Sequence, residues 1–145
     1  MEQLKKIKVD IDFKKAFDYI WRRKLWKVLR HRGYLLKVVR ILESLFLQSV
    51  RTSGGLSDWF QTVVGVLQSC ILSPLLFNLF LEVVMAKALE CVDDGITICV
   101  YTLYNLRFAD DIAAASDSQQ GLQSVVGCIA NASDRMGMCI STEKT

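Results

Sequence analysis

The segment LRFADDIAAA, residues 106–115, places two adjacent aspartates between two apolar stretches. The flanking stretches have the composition of strands, so Asp110 and Asp111 are expected near the turn between them. Two neighbouring carboxylates in such a place repel each other and lose part of their hydration. Two interpretations remain open for the pair alone. It is a solvated hairpin turn, because aspartate is common in turns, or it binds a divalent cation, because Mg²⁺ prefers carboxylate and phosphate oxygens.

A third carboxylate, Asp12, ends a segment in which apolar and polar residues alternate. Residues 7–12, IKVDID, have the period of two that is typical of a strand. If this strand pairs next to the hairpin of Asp110 and Asp111, three carboxylates from distant parts of the chain converge. Two-metal phosphoryl transfer needs such an arrangement, because the ions stabilise the attacking and the leaving oxygens.

The remaining pattern predicts one mixed domain. Helices are predicted at about 21–32, 34–48, 74–90 and 118–136, a hairpin at 49–52 and 58–64, and further strands at 96–101, 104–109, 112–115 and 138–142. We therefore predict an α+β fold with a largely antiparallel sheet covered by helices on one face.

The most apolar run, residues 71–86, is interrupted by Pro74, Asn78 and Glu82. A membrane span needs about 20 mostly apolar residues, so a buried helix is the better interpretation and no membrane partner is expected. The five cysteines include no Cys-x-x-Cys pair, and the single histidine cannot complete a zinc site with them. Apolar residues make up 52 % of the chain, which excludes disorder and predicts either an unusually complete core or apolar surface that meets a partner.

The charges are divided unevenly along the chain. Residues 1–51 contain 14 Lys and Arg against 5 Asp and Glu, whereas residues 52–145 contain 4 against 10. A basic half suggests a polyanion partner. The alternative is that its cations form the solvated face of an amphipathic helix. The cations concerned are Lys14, Lys15, Arg22, Arg23, Lys24, Lys27, Arg30 and Arg32.

Four blocks of sequence carry a family resemblance. Residues 11–18, IDFKKAFD, resemble motif A of the palm of a reverse transcriptase, of the non-LTR (LINE-type) retrotransposon kind with endonuclease and reverse transcriptase. Residues 65–78, GVLQSCILSPLLFN, resemble motif B, and residues 108–111, FADD, resemble motif C. The ending, residues 137–145, is similar to motif D. The blocks stand in the order of the family and cover nearly the whole chain.

The resemblance implies an RNA-directed DNA polymerase, a nucleotidyltransferase that adds dNTPs to the 3′ end of a DNA primer on an RNA template. Asp12, Asp110 and Asp111 would be the catalytic carboxylates. Together with the backbone carbonyl of Phe13 they would hold two Mg²⁺ ions, for which Mn²⁺ is a surrogate. Asp10 is a poorer ligand candidate, because the motif places the catalytic carboxylate at Asp12.

The resemblance also implies nucleotide-binding roles for Phe13, Phe17, Gln68 and Lys144. The ring of Phe17 would lie under the incoming sugar and exclude a 2′-hydroxyl, the group that distinguishes RNA from DNA. Gln68 would contact the nucleotide and the templating pair, and Lys144 would protonate the leaving pyrophosphate. The alternatives are an ordinary core aromatic for Phe17 and a solvated terminal lysine for Lys144. Asp18 is expected to support the turn that follows it.

Three positions depart from the family pattern. Motif B usually reads GVRQGC, but Leu67 replaces the arginine and Ser69 replaces the second glycine. Ser141 stands where asparagine is usual in motif D. The changes in motif B predict weakened handling of the nucleotide, because one removes a charged donor and the other adds a Cβ near the substrate.

The length of the chain predicts a partial reverse transcriptase domain over residues 1–145. About ten residues precede Asp12 and the chain stops at Thr145, so the fingers and thumb are expected to be missing and the chain alone to be inactive. The alternative function is a non-catalytic nucleic-acid-binding remnant of a retroelement. The family implies an intracellular, nuclear location, and the sequence leaves the oligomeric state open.

Overall fold

A computed structural model describes residues 7–68, 70–90, 92, 95–98, 101–103 and 105–141. The helices in this part of the chain are α1 (Arg22–His31), α2 (Leu36–Leu45), α3 (Leu72–Leu89) and α4 (Gln119–Met136). The strands are β1 (Ile7–Ile11), β2 (Leu47–Gln48), β3 (Arg51–Thr52), β4 (Gly55–Leu56), β5 (Phe60–Gln61), β6 (Ile96–Ile98), β7 (Tyr101–Leu103), β8 (Asn105–Phe108) and β9 (Asp111–Ser116). The predicted α+β class is therefore confirmed.

The main sheet has the order β1-β9-β8, and both of its strand pairs are antiparallel. The register places Ile11 opposite Ile112, and Phe108 opposite Asp111. Strand β9 therefore lies in the middle and joins the N-terminal strand to the hairpin of motif C. The predicted pairing of the first strand next to this hairpin is confirmed.

Side chains alternate between the two faces of this sheet, as they do in any strand. Ile11, Ile112 and Ala114 are buried on one face, whereas Lys8 and Asp10 are exposed on the other. Helix α4 packs against β1 and β9, and α3 packs against α4. The helices thus cover one face of the sheet and leave the face of Asp10 open.

Helix α3 supplies the largest buried side chains of the core. Phe77 and Phe80 are completely buried, as are Val84 and Met85 on the following turns. By length and composition alone this 18-residue helix could cross a membrane, a test that core helices of soluble proteins also pass. Its buried aromatic side chains agree with the predicted buried helix.

Both ends of α4 carry the residues that helix ends favour. The hydroxyl of Ser118 accepts a hydrogen bond of 2.9 Å from the amide of Gly121 and caps the N-terminus. Gly137 follows the helix in the left-handed conformation, with a φ of 85°. A Cβ at Gly137 would lie 2.7 Å from the ring of Trp21, so a side chain does not fit there.

Some predicted boundaries differ from those of the structure. Helix α3 begins at Leu72, two residues before Pro74. The amides of the first turn have no partner within the helix, so proline, which has no amide hydrogen, is tolerated there. Residues 99 and 100 of the predicted strand 96–101 lie outside the described residues, and β6 pairs antiparallel with β7. The predicted hairpin at 49–64 consists of two short pairs, β2 with β5 and β3 with β4. Within the described residues, the predicted last strand is reduced to one bridge between Phe13 and Ile140.

Candidate active site

Two neighbouring cavities meet at Asp12. The first, which we name the Asp110 cavity, has a volume of about 530 Å³ and is bordered by motif A, motif B and Asp110. The second, named the Asp111 cavity, has a volume of about 620 Å³ and lies along the ends of β1, β8 and β9. The residues of the Asp110 cavity include Asp12, Phe13, Lys15, Phe17, Asp18, Leu67, Gln68 and Asp110.

A tight hairpin turn places Asp110 at the edge of the first cavity. Phe108 pairs with Asp111, so Ala109 and Asp110 alone connect β8 to β9. Ala109 has a φ of 55°, in the left-handed region that residues with a Cβ rarely adopt. The turn therefore contains backbone strain at the residue that directly precedes Asp110.

Hydrogen bonds with residues 139–141 fix one edge of the backbone around Asp12. The amide of Ser141 donates to the carbonyl of Asp12 over 2.8 Å, and the amide of Lys14 donates to the carbonyl of Cys139 over 2.9 Å. Because backbone groups alternate between the two edges of an extended chain, the carbonyl of Phe13 lies on the opposite edge. That is the edge on which β1 pairs with β9.

The three carboxylates border the two cavities in different combinations. Asp12 and Asp110 border the first cavity, and Asp12 and Asp111 border the second. Among the residues that the structure describes, no three Asp, Glu, His or Cys side chains form a group that could hold a metal ion. The donor chemistry fits Mg²⁺ nevertheless, because this ion takes one or two carboxylates and completes its shell with water and substrate phosphates.

Phe17 and Gln68 border the Asp110 cavity from two sides. The half-buried ring of Phe17 rests against that of Phe77 in α3, with 4.8 Å between their centroids. The side-chain amide of Gln68 donates a hydrogen bond of 3.2 Å to Asp18. Sequence analysis assigned Asp18 to the following turn and missed this contact. The position of Asp18 in the same short block as Asp12 was the signal that could have found it.

Gly65, the first residue of motif B, fixes the start of this motif close to Asp18 in motif A. Its amide donates to the carbonyl of Ile20 over 2.8 Å, and the amide of Val66 donates to the carbonyl of Phe17 over 2.9 Å. Gly65 has a φ of 81°, and a Cβ there would lie 3.2 Å from the carbonyl oxygen of Asp18. Glycine is required at this position for both reasons.

Arg22 is a buried cation that connects α1 to this segment. Its Nε donates to the carbonyl of Gly65 over 2.6 Å, and its Nη1 donates to the carbonyls of Phe46 and Thr62 over 3.1 and 3.2 Å. Burial lowers the pKa of its guanidinium from the ordinary value. The sequence pattern placed Arg22 among cations that either face a polyanion or form a solvated helix face, and its burial fits neither interpretation. Its spacing of three and seven residues from the buried Leu25 and Leu29 indicated the core side of the helix instead.

Two positions singled out in the sequence lie outside the residues that the structure describes. These are Lys144 and Ser69, and their roles stay predictions. Leu67, in the position where the family has arginine, is half-buried beside the Asp110 cavity. Its carbonyl accepts a hydrogen bond of 2.5 Å from the hydroxyl of Ser73, which fixes the turn before α3.

The sequence matches the family model described as reverse transcriptase (RNA-dependent DNA polymerase) over residues 1–145. This chain belongs to the reverse transcriptase family. The resemblance inferred from the motifs is thereby confirmed, and the α+β domain is a polymerase palm. Members of this family generally use divalent metal ions.

A curated relative indicates the kind of reverse transcriptase, and a solved structure shows the same fold. The chain is 30 % identical over 135 residues to the retrovirus-related Pol polyprotein from type-1 retrotransposable element R2 of Nasonia vitripennis. The match covers 88 % of this chain and 13 % of that polyprotein, and it supports a non-LTR reverse transcriptase. The structure is also similar to apo telomerase from Candida tropicalis, truncated from its C-terminal domain, with a TM-score of 0.71 and 17 % identity. That similarity covers 96 % of this chain and 30 % of the telomerase chain.

Proposed function

We propose that this reverse transcriptase palm carries the nucleotidyl-transfer site of an RNA-directed DNA polymerase. The observation that supports the proposal is the meeting of Asp12 and Asp110, 98 positions apart, at the cavity that Phe17 and Gln68 also border. Its substrates are a dNTP and the 3′ end of a DNA primer paired with an RNA template. The reaction class is phosphoryl transfer, in which the protein positions groups and neutralises charge.

The carboxylates of this site hold the metal ions. Asp12 and Asp110 would be the principal ligands, assisted by Asp111, the first residue of β9, and by the carbonyl of Phe13, two residues after β1. Two Mg²⁺ ions, when bound, stabilise the attacking and leaving oxygens of an in-line displacement. Two protein carboxylates leave coordination positions for the triphosphate, and this accords with the absence of a three-residue metal cluster in the described part of the chain.

The nucleotide is positioned by the other residues of the Asp110 cavity. Phe17, supported by Phe77, lies under the sugar and discriminates against a 2′-hydroxyl. Gln68 contacts the nucleotide, and its hydrogen bond to Asp18 makes Asp18 a positioning residue. Lys144 serves as the general acid for pyrophosphate.

The palm provides only part of what primer extension requires. The chain spans 13 % of the R2 polyprotein and 30 % of the telomerase chain that it matches. We infer that residues 1–145 form a partial reverse transcriptase domain, and that segments equivalent to fingers and thumb hold the triphosphate and the duplex. The catalytic carboxylates are therefore tested by metal binding rather than by extension.

Calorimetric titration with Mn²⁺ in the presence of primer–template and dNTP tests the site. We expect saturable binding to the chain and its loss in Asp12→Asn/Asp110→Asn. Asp10→Asn is the matched control, because Asp10 lies on β1 two residues from Asp12 and is paired with Lys8 at 3.3 Å. Circular dichroism establishes that every variant unfolds cooperatively.

Two results would contradict the proposal. One is Mn²⁺ binding that survives in the folded double variant, and the other is equal loss in Asp10→Asn. Salt-dependent binding of nucleic acid without any Mn²⁺ site would favour the non-catalytic binder.

A further inference from the structure

The exposed side of α1 borders two shallow cavities that adjoin each other. Their volumes are about 340 and 330 Å³, and both are bordered by Lys24 and Lys27. Arg23 borders the first, whereas His31 and Lys87 border the second. We name this surface the α1 trough. It is lined by the cations Arg23, Lys24, Lys27 and Lys87 and by His31, and by no carboxylate.

The cations of the α1 trough have no ion-pair partner among the described residues. The ion pairs in that part of the chain are Lys8 with Asp10, Arg30 with Glu43, and Arg107 with Glu82, and all lie elsewhere. Clustered cations repel each other, and a polyanion that spans them removes this repulsion and releases its own counterions. The trough is therefore complementary to a row of phosphates.

An aromatic ring lies at one end of the trough. Trp21 is 46 % exposed and borders the first cavity. The ammonium of Lys24 lies 4.4 Å from the centroid of its ring, and Gly137 lies against the ring edge without a side chain between them. The indole is thus held in place beside cations, the combination with which proteins bind single strands through bases and phosphates together.

The α1 trough is separate from the catalytic site. None of the residues that border it borders the Asp110 or the Asp111 cavity. Helix α3 reaches both regions, with Pro74 at the Asp110 cavity and Lys87 at the trough. At 1.5 Å per residue the two sites lie roughly 20 Å apart along this helix.

We propose that the α1 trough is a second nucleic-acid site, which binds single-stranded nucleic acid through its phosphates and contacts one base with Trp21. The site works independently of the metal ions, because its ligands are cations and an indole. It holds a part of the nucleic acid that is distant from the primer end.

Fluorescence anisotropy with a labelled 20-nucleotide oligouridylate, measured over a range of salt concentrations, tests the trough. We expect Lys24→Gln/Lys27→Gln/Lys87→Gln to weaken binding by about tenfold or more and to reduce the salt slope by about 2, since each phosphate contact on a single strand contributes about 0.7. The matched control is Lys37→Gln/Arg40→Gln/Arg51→Gln, which removes the same charge from exposed positions elsewhere. The measurements are made in EDTA, and binding that persists there separates this proposal from the catalytic one, because the α1 trough needs no metal ion.

The contribution of the ring is tested separately. Trp21→Leu should weaken binding several-fold at every salt concentration without changing the slope, because stacking releases no counterions. Equal losses in the two charge triples would mean that no particular surface binds and would overturn the proposal. Displacement of the oligonucleotide by phosphatidylserine vesicles, with equally tight binding of the vesicles, would assign the trough to a membrane surface and also overturn it.

Discussion

At the scale of the residue, the turn between β8 and β9 contains one of the two residues other than glycine with a positive φ in the described part of the chain; the other is Lys15. Ala109 has a positive φ, although its Cβ makes this conformation costly by about 1–2 kcal/mol. The strain persists because the pairing of Phe108 with Asp111 leaves only two residues to reverse the chain. The same turn places Asp110 at the cavity, so the strain is linked to the position of a candidate metal ligand.

Ala109→Gly should increase the free energy of unfolding by about 0.5–1 kcal/mol. Glycine removes the cost of the left-handed conformation, and its greater freedom in the unfolded chain offsets part of the gain. Ala113→Gly is the matched control within β9, and it should lower the free energy by about 0.5–1 kcal/mol, because glycine weakens a strand. Urea denaturation measures both. Equal destabilisation by the two substitutions would show that Ala109 is not strained.

The sequence alone identified the residues whose chemistry has few alternatives. Asp12 and Asp110 stand out because adjacent or strand-ending carboxylates are costly without a reason, and the structure places both at one cavity. The contact of Asp18 and the burial of Arg22 were not foreseen, because they depend on partners 50 and 43 positions away, at Gln68 and Gly65. A pattern within one segment contains no information about such partners.

At the scale of the element, Arg22 adds side-chain hydrogen bonds to three pieces of chain that the pairing of β2 with β5 and the bridge between Trp21 and Val64 also hold together. It connects the start of α1 to the end of α2 at Phe46, to Thr62, and to Gly65 at the start of motif B. It also lies 4.8 Å from the centroid of the Phe46 ring, so its charge is stabilised by an aromatic face as well as by carbonyls. The guanidinium therefore fixes the path that leads to Gln68.

Arg22→Met should lower the free energy of unfolding by about 2–3 kcal/mol. The substitution retains apolar volume but leaves three carbonyl oxygens without their donor, and each buried unpaired group costs about 1–3 kcal/mol before relaxation. Arg23→Met, one residue along the same helix but exposed, should change it by less than about 0.5 kcal/mol. Chemical denaturation followed by tryptophan fluorescence measures both. A loss for Arg22→Met as small as that for Arg23→Met would exclude the connecting role.

The sequence predicted which segments form helices and which form strands, but it predicted their boundaries less well. The helical stripes of α1 and α4 and the alternation in β1 match the side chains that are buried, whereas α3 is apolar on all sides and was predicted from its length and composition. The short pairs between residues 47 and 61 were predicted as one hairpin. Their strands are only two residues long, and the position of a chain reversal in an exposed segment is weakly determined by hydrophobic pattern.

At the scale of the whole molecule, α2 leaves an apolar face uncovered. Leu35 is 73 % exposed, and Leu36, Ile41 and Leu45 are each at least half exposed. Only Val39 of this helix is buried. The high apolar fraction of the sequence was consistent with such a surface, although the sequence could not indicate where it lies. Ile41 and Leu45 lie one turn apart on the same side of α2, and exposed apolar side chains of this kind associate with another surface in water.

We expect the chain, studied alone, to self-associate in a concentration-dependent way through α2. Leu36→Glu/Ile41→Lys preserves the net charge and should shift the chain towards the monomer in sedimentation velocity. The control is Leu75→Glu/Ile71→Lys, which changes two exposed apolar residues at the start of α3. Association that persists in the α2 variant, or disappears equally in the control, would mean that this face is not responsible.

The central position of β9 has a consequence for how the molecule opens. A middle antiparallel strand has its amide groups hydrogen-bonded alternately to both neighbours, so the exchange of all its amides with solvent deuterons requires β9 to separate from both β1 and β8. The exposed pair of β3 with β4 has no such protection and can open by itself. We therefore expect the amides of β9 to exchange more slowly than those of β3 and β4. The carboxylates that adjoin β1 and β9 should keep their mutual position when that small hairpin opens.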